Sequence, residues 1–239
     1  MGINKLADII KHGTEELGIS MSKKTITAFE RYFDYLEKRG KFDNLTAISG
    51  EGDVARLHFI DSLAILKNYE FRNMKVIDIG SGAGFPGVPL KLAEPTIKLT
   101  LLDAAVKRVD FLTGLCATLA IKADCIHARA EEAAHEQHMR ERYDIVVARA
   151  VARLSVLCEL CLPFIAVGGA FIAMKGTGSS DEANEAYGAI KALGSEIEEI
   201  ADYVIPDTDI VHRAIIIRKR AKTPEIYPRR FSKIKKNPL

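Results

Sequence analysis

A short apolar run, Lys75 to Ile79, breaks directly into Gly80-Ser81-Gly82-Ala83-Gly84-Phe85-Pro86-Gly87. Nothing else in the sequence restricts the fold as strongly. Glycines let a backbone turn tightly and come close to a ligand. An apolar run that ends in such a turn and restarts as a helix opens a nucleotide-binding βαβ unit. Asp103 closes the next apolar run, about twenty residues further on, where an acid in such a unit holds a ribose hydroxyl pair. Strand, turn, helix and distal acid follow in that order, which argues against glycines that merely make a tight corner.

The glycine spacing bears on the ligand. A dinucleotide fingerprint places its third glycine at position 85, where this chain has Phe85. The order Gly-x-Gly-x-Gly favours an adenosyl cofactor without a pyrophosphate, S-adenosyl-L-methionine, over NAD. On this reading Gly80 and Gly82 of the turn and Asp103 line the cofactor site. A dinucleotide-dependent oxidoreductase is the alternative, and it would bind NAD and ignore S-adenosylmethionine.

The rest of the chain supplies the other layers. Strands are expected at Lys75–Ile79, Ile97–Leu102, Ala123–His127, Tyr143–Ala148 and Ala170–Met174, with helices between them at Gly87–Ala93, Ala105–Leu119, Ala130–Arg140 and Leu154–Leu162. Such alternation implies a parallel sheet covered on both faces. Two late runs, Ile197–Ile205 and Ile210–Arg218, are joined so tightly that they suit an antiparallel pair at the sheet edge. Before the sheet, Leu6, Ile9, Ile10, Gly13 and Leu17 recur at helical spacing. Ile26, Phe29, Phe33 and Leu36 form a second helical set with Ser22 as N-cap and Gly40 as its end. A loop over Phe42–Gly52 and a third helix from Asp53 to about Tyr69 complete this part. The fold expected is α/β: a Rossmann-like domain with a mostly parallel seven-stranded sheet and an N-terminal helical extension. The boundaries are 1–71 for the extension, 72–220 for the Rossmann-like domain and 221–239 for a basic C-terminal arm, expected to be extended or flexible.

Composition enters in two places. The net charge of 239 residues is only +2, so overall charge does not suggest a polyanion partner. Its distribution does: Arg218, Lys219, Arg220, Lys222, Arg229, Arg230, Lys233, Lys235 and Lys236 stand near the end against Glu225. Phosphate neutralisation explains such a cluster, as does a solvated terminal charge run. The most apolar stretch, Leu154 to Met174, contains Glu159, Pro163, Gly168 and Gly169, which reads as buried helix, turn and strand rather than a membrane span. No secretory signal pattern opens the chain, and the four cysteines fit reduced thiols in the cytoplasm.

Several stretches together carry a resemblance: Asn44-Leu45-Thr46, His58-Phe59-Ile60-Asp61-Ser62, Asp78 through Gly87, Leu102-Asp103-Ala104-Ala105-Val106-Lys107-Arg108, Arg129-Ala130-Glu131-Glu132, Ala148-Arg149-Ala150-Val151-Ala152-Arg153-Leu154, Lys175-Gly176 and Tyr227-Pro228-Arg229-Arg230. In this order they resemble the RsmG (GidB) family, bacterial methyltransferases acting on guanine N7 in the 530 loop of 16S ribosomal RNA. The resemblance covers nearly the whole chain, and it departs from the commoner pattern only after Arg230, at Phe231-Ser232-Lys233. It implies that Gly80 and Phe85 contact S-adenosylmethionine, that Ala130 and Glu131 flank the adenine, and that Arg149 lies at the edge of the methionine part. Arg129, Arg149 and Lys175 match positions of the active cleft. The implied partner is 16S rRNA within the small ribosomal subunit, met by a cytoplasmic monomer without metal or membrane.

The implied chemistry fits what the sequence lacks. Guanine N7 carries a lone pair and no proton, so its attack on a sulfonium methyl needs alignment and dryness rather than a general base. The Asn/Asp-Pro-Pro-aromatic loop of amino-group methylation is replaced here by Ala148-Arg149-Ala150, and no Pro-Cys pair exists for carbon methylation. Arg129, Arg149 and Lys175 are therefore expected to position phosphates or guanine O6. A non-catalytic RNA-binding protein on the same fold is the second alternative.

Weaker signals receive bland readings. Cys158 and Cys161 fall in an apolar helix and read as buried small hydrophobes rather than metal ligands. His135 and His138 read as a solvated helix face. Lys107 and Arg108 suit either RNA contacts or an ordinary exposed face. His58 and Asp61 share one helix face and either bond each other over the cofactor cleft or form a structural pair.

Overall fold

Near-continuous apolar runs in the central strands give the sheet two faces to bury. A computed structural model describes residues 5–40, 45–46, 48–149, 152–176 and 181–239. Its strands are β1 (Lys75–Ile79), β2 (Lys98–Asp103), β3 (Ala123–His127), β4 (Tyr143–Arg149), β5 (Ile165–Gly176), β6 (Ser195–Val204) and β7 (Val211–Lys219). They form one seven-stranded sheet in the order β3-β2-β1-β4-β5-β7-β6. Neighbours among β1 to β5 are parallel, and β7 runs antiparallel to both β5 and β6. The expected edge hairpin is thus present. Val76, Leu101, Ile145, Val147 and Ile172 face one core, while Ile77, Val146, Ala148, Phe171 and Ala173 face the other, as the two-residue period of a strand requires.

The first core holds the N-terminal helices. These are α1 (Lys5–Glu16), α2 (Lys23–Tyr35), which runs on through Leu36–Gly40, and α3 over residues 51–67. Ser22 caps α2 as expected, its hydroxyl accepting the Thr25 N–H at 3.1 Å. Phe29, Tyr32 and Phe59 from these helices share one core with Phe111 and Leu112 of α5 (Val106–Leu119) and with Val88 and Leu90 of α4 (Gly87–Ala93). Burying each such phenylalanine stabilises the fold by about 1.5–3 kcal/mol. The second core lies under α6 (Ala130–Ala133), α7 (Leu154–Cys161), α8 (Glu182–Glu185), α9 (Tyr187–Ala192) and α10 (Phe231–Lys236). The residues Phe42, Asn44, Ala150 and Val151 named above lie outside those described.

Three expectations are corrected. The helix foreseen over Ala130–Arg140 stops at Ala133 and continues as tight turns, such as His135 N–H to Glu132 O at 3.1 Å. The polar run from His135 to His138 has nothing to bury there. Strand β5 begins five residues early, because the sheet register jumps between Tyr143↔Ile165 and Ile145↔Ala170 and the Val167-Gly168-Gly169 segment bulges out. A Cβ on Gly169 would stand 2.5 Å from the Asp144 carbonyl, so glycine permits that bulge. The third correction concerns the tail. Arg140 donates to the carbonyls of Thr223, Pro224 and Tyr227 at 2.9, 3.2 and 2.9 Å. Arg229 grips Glu159 in a fork, 2.9 and 2.7 Å long, and its backbone N–H adds a third bond at 2.8 Å. Ile234 of α10 is fully buried. The tail is folded against α7, not extended.

The terminal cations divide accordingly. Lys219 is buried and donates to the carbonyls of Leu162 and Leu193, both at 3.1 Å, and to Thr223 Oγ1. Burial lowers its pKa to about 8. Arg218 pairs with Glu198 and Arg220 with Glu196. Lys222, Arg230, Lys233, Lys235 and Lys236 stay exposed. Cys158 and Cys161 are buried in α7 as expected, and burial pushes both thiols up.

Candidate active site

The turn after β1 is built from backbone conformations that favour glycine. Gly80, Gly82 and Gly84 have φ of 73°, 57° and 103°. At Gly84 a Cβ would also lie 2.6 Å from the Tyr32 hydroxyl. At Gly87, which opens α4, it would lie 2.8 Å from Asp78 Oδ2, the atom that accepts the Gly87 N–H. Asp78 is wholly buried, its Oδ1 has no partner among the described residues, and burial raises its pKa to about 7. Asp103 ties the turn to β2: its carboxylate accepts the N–H groups of Gly82 and Ala105, both at 3.0 Å. An ionised carboxylate still has lone pairs to offer a hydroxyl pair after accepting those two.

Two cavities open at the C-terminal ends of the parallel strands. The first, about 360 Å³, is lined by Gly80, Gly82, Phe85, Arg149, Lys175 and side chains of α3. The second, about 350 Å³, is lined by Asp103, Arg129, Ala130, Glu131, Arg108 and Phe231. Gly80 and Arg149 belong to both. Every site residue expected from sequence therefore lies on this edge of the sheet. A carboxylate-walled compartment joined to a glycine-floored one suits an adenosyl group with an amino-acid tail, so S-adenosylmethionine fits the residues present.

The roles of the cations are set by what holds them. Arg149 is not a free cation. Its Nη1 donates to Asp61 Oδ2 at 2.8 Å and to the Leu57 carbonyl at 3.1 Å. Nη2 meets His58 Nδ1 at 3.0 Å, and the guanidinium sits 4.9 Å from the Phe85 ring centroid. His58 must accept there, because arginine only donates. Burial first, then the Arg149 charge, lowers the His58 pKa to about 3. Its other nitrogen then carries the proton toward Thr46 Oγ1, 2.7 Å away. His58 and Asp61 are thus joined through Arg149, on the wall of the first cavity. Lys175 binds Glu182 at 2.7 Å and the Ala152 carbonyl. Arg129, with 58% of its side chain exposed, stands 3.9 Å from Glu131. Arg108 reaches Asp103 at 3.4 Å, which separates it from its neighbour Lys107.

Asp61 is the centre of this network and was only half visible in the sequence. Besides Arg149 it accepts from His212 Nδ1 and from the Tyr203 hydroxyl, each at 2.8 Å. Burial alone would raise its pKa. The His212 hydrogen bond, the Arg149 charge and the Tyr203 hydroxyl outweigh that and hold it low. His212 and Tyr203 come from the edge hairpin, far along the chain, so no local spacing announced them. Tyr32 is likewise unannounced: its hydroxyl donates to the Ala83 carbonyl at 2.6 Å, and its ring stacks on Phe85.

The strand order, with the ligand turn at the end of β1, defines a Rossmann-like fold shared with S-adenosylmethionine-dependent methyltransferases of solved structure. A SAM dependent methyltransferase from Aquifex aeolicus has the same architecture, with a TM-score of 0.54 at 14% identity over 76% of this chain and 97% of its own. A methyltransferase from Pyrococcus furiosus gives 0.53 at 11% identity over 68% and 83%. More narrowly, the chain belongs to the GidB family, rRNA small subunit methyltransferase G, which matches residues 25–211. Curated relatives agree. Ribosomal RNA small subunit methyltransferase G of Pelotomaculum thermopropionicum is 44% identical over 98% of this chain and 99% of its own length. That of Alkaliphilus oremlandii is 45% identical over the same shares.

Proposed function

We propose that this chain transfers the methyl group of S-adenosylmethionine to N7 of a guanine in the 530 loop of 16S rRNA, acting on the small ribosomal subunit as a cytoplasmic monomer. The observation that carries the reading is the pair of cavities meeting at Gly80 and Arg149, the second suited to the nucleoside and the first, beside the amino-acid tail, open also to a second substrate. Among the described residues no helix is long and apolar enough to cross a membrane.

The cofactor supplies an electrophilic methyl on a sulfonium: the N7 lone pair forms the new bond, the sulfur–carbon pair returns to sulfur, and the positive charge moves to the base. The chain's residues align and dry this exchange. Gly80, Gly82 and Phe85 shape the turn beside the reacting centre, and Asp103, Ala130 and Glu131 hold the nucleoside end. Arg149 and Lys175, already bonded within the protein, fix the walls rather than grip phosphate. Arg129 and the exposed lysines of α10 are among the exposed cations available to meet the RNA backbone. No side chain is asked to remove a proton, because N7 has none.

The test is transfer of labelled methyl from S-adenosylmethionine to small subunits and to stripped 16S rRNA, with the modified nucleotide mapped afterwards. Label on N7 of one guanine in the 530 loop is expected. Label at another atom, or none on either substrate, overturns the reading.

A further inference from the structure

One ring nitrogen in the first cavity is left over once the network around Asp61 is complete. His58 uses both of its nitrogens, on Arg149 and Thr46. Asp61 uses both oxygens, and Ser81 spends its hydroxyl on the Asp78 carbonyl. His212 differs. It sits on β7 beside Gly176 of β5 and lines the cavity together with Gly80, Phe85 and Lys175. The Asp61 carboxylate can only accept, so the bond of 2.8 Å places a proton on His212 Nδ1 and fixes the ring. Nε2, at the far end of the ring, carries no hydrogen bond among the described residues, and 28% of the side chain is exposed.

We propose that His212 reads the target base: with the Nδ1 proton given to Asp61, Nε2 accepts a hydrogen bond from N1–H or the 2-amino group of guanine. The inference rests on the guanine-N7 reading above. With N7 turned to the methyl beside Gly80, the base presents its opposite edge to the rest of the cavity. Guanine carries donors on that edge. Adenine has a bare lone pair at N1 and no 2-amino group, so it would set acceptor against acceptor. Asp61 is then a positioning residue: it selects the tautomer that leaves Nε2 able to accept. A mismatch of this kind discriminates better than extra apolar contact, because it leaves buried polar groups unpaired.

His212→Asn isolates the effect. The asparagine amide keeps a donor for Asp61 and removes the nitrogen facing the cavity. The expected result is an unchanged thermal midpoint, S-adenosylhomocysteine affinity within about twofold by calorimetry, and kcat/KM for small subunits lower by about tenfold. In subunits reconstituted with adenine at the target position, the preference for guanine over adenine should narrow by a similar factor. His212→Gln, which restores an amide at the reach of Nε2, should regain part of the loss, and it serves if the asparagine variant does not fold. Full activity with unaltered base preference overturns the proposal, as does a parallel loss of S-adenosylhomocysteine affinity. If the wild-type chain labels no guanine N7, the functional reading falls and takes this proposal with it. If the wild type does so and His212→Asn matches it, only the role of His212 falls.

Discussion

Replacing Arg229 by alanine should destabilise the whole chain, although the residue belongs to a terminal segment rich in charge. Glu159 is fully buried on α7, and the Arg229 side chain is 18% exposed. Two guanidinium bonds and one backbone N–H satisfy the carboxylate. Alanine removes both guanidinium bonds and leaves a buried negative charge with one N–H. Breaking a buried ion pair by deleting one partner costs about 3–5 kcal/mol, because the other charge stays desolvated. For a chain of this size that lowers the thermal midpoint by roughly 6–20 °C. Glu159→Gln removes the stranded charge and retains an acceptor, and should cost only about 1–2 kcal/mol. Far-UV circular dichroism on heating and in urea measures all three variants, including the double. The cycle should return a coupling above about 2 kcal/mol between the two positions. A loss below about 1 kcal/mol in Arg229→Ala, or simple additivity, would refute the claim that the tail is an integral part of the second core.

Other expectations rest on the same kind of close packing. Gly87→Ala drives a methyl group against Asp78 Oδ2 and Leu101, and should weaken S-adenosylhomocysteine binding at least tenfold by calorimetry. Asp78 holds its proton up to about pH 7 in the folded chain, against an ordinary value near 4, so the folded state binds more protons through that interval and stability falls as pH rises across it. Comparing urea unfolding at pH 5 and pH 8, wild type should lose roughly 2–3 kcal/mol relative to Asp78→Asn, and parallel pH profiles would exclude this. Reversing the charges of Lys233, Lys235 and Lys236, all exposed on α10 around the buried Ile234, should weaken RNA binding without unfolding the tail. The slope of log affinity against log salt should become shallower by about 0.7 for each phosphate that is no longer neutralised, measured by filter binding at several salt concentrations.

Local patterns were legible in the sequence, and long-range ones were not. The run from Lys75 to Gly87 announces strand, turn and helix because each step has its own chemistry within a few residues. β1, β3 and α4 have the bounds read from sequence. Arg149 and Lys175 were correctly put at strand ends, but their charge suggested phosphate. Only the fold reveals that Asp61 and Glu182 already hold them. His212 lay inside a predicted strand with no motif about it, and its meaning comes from an acid far away in sequence. The tail failed for the opposite reason. Its prolines and cations satisfy every rule for a solvated arm, and the single buried acid that anchors it, Glu159, is hidden in an otherwise apolar helix. Lys219 misleads in the same way: a lysine beside other basic residues looks solvated until three oxygens are found around its ammonium.

The clasp of Tyr32 on the Ala83 carbonyl makes the ligand turn and the first helices one mechanical piece. Occupancy of the nucleoside seat and docking of those helices therefore share a free energy, and by reciprocity each must strengthen the other. Peeling the helices away would empty the seat, and a filled seat would rivet the helices to the sheet.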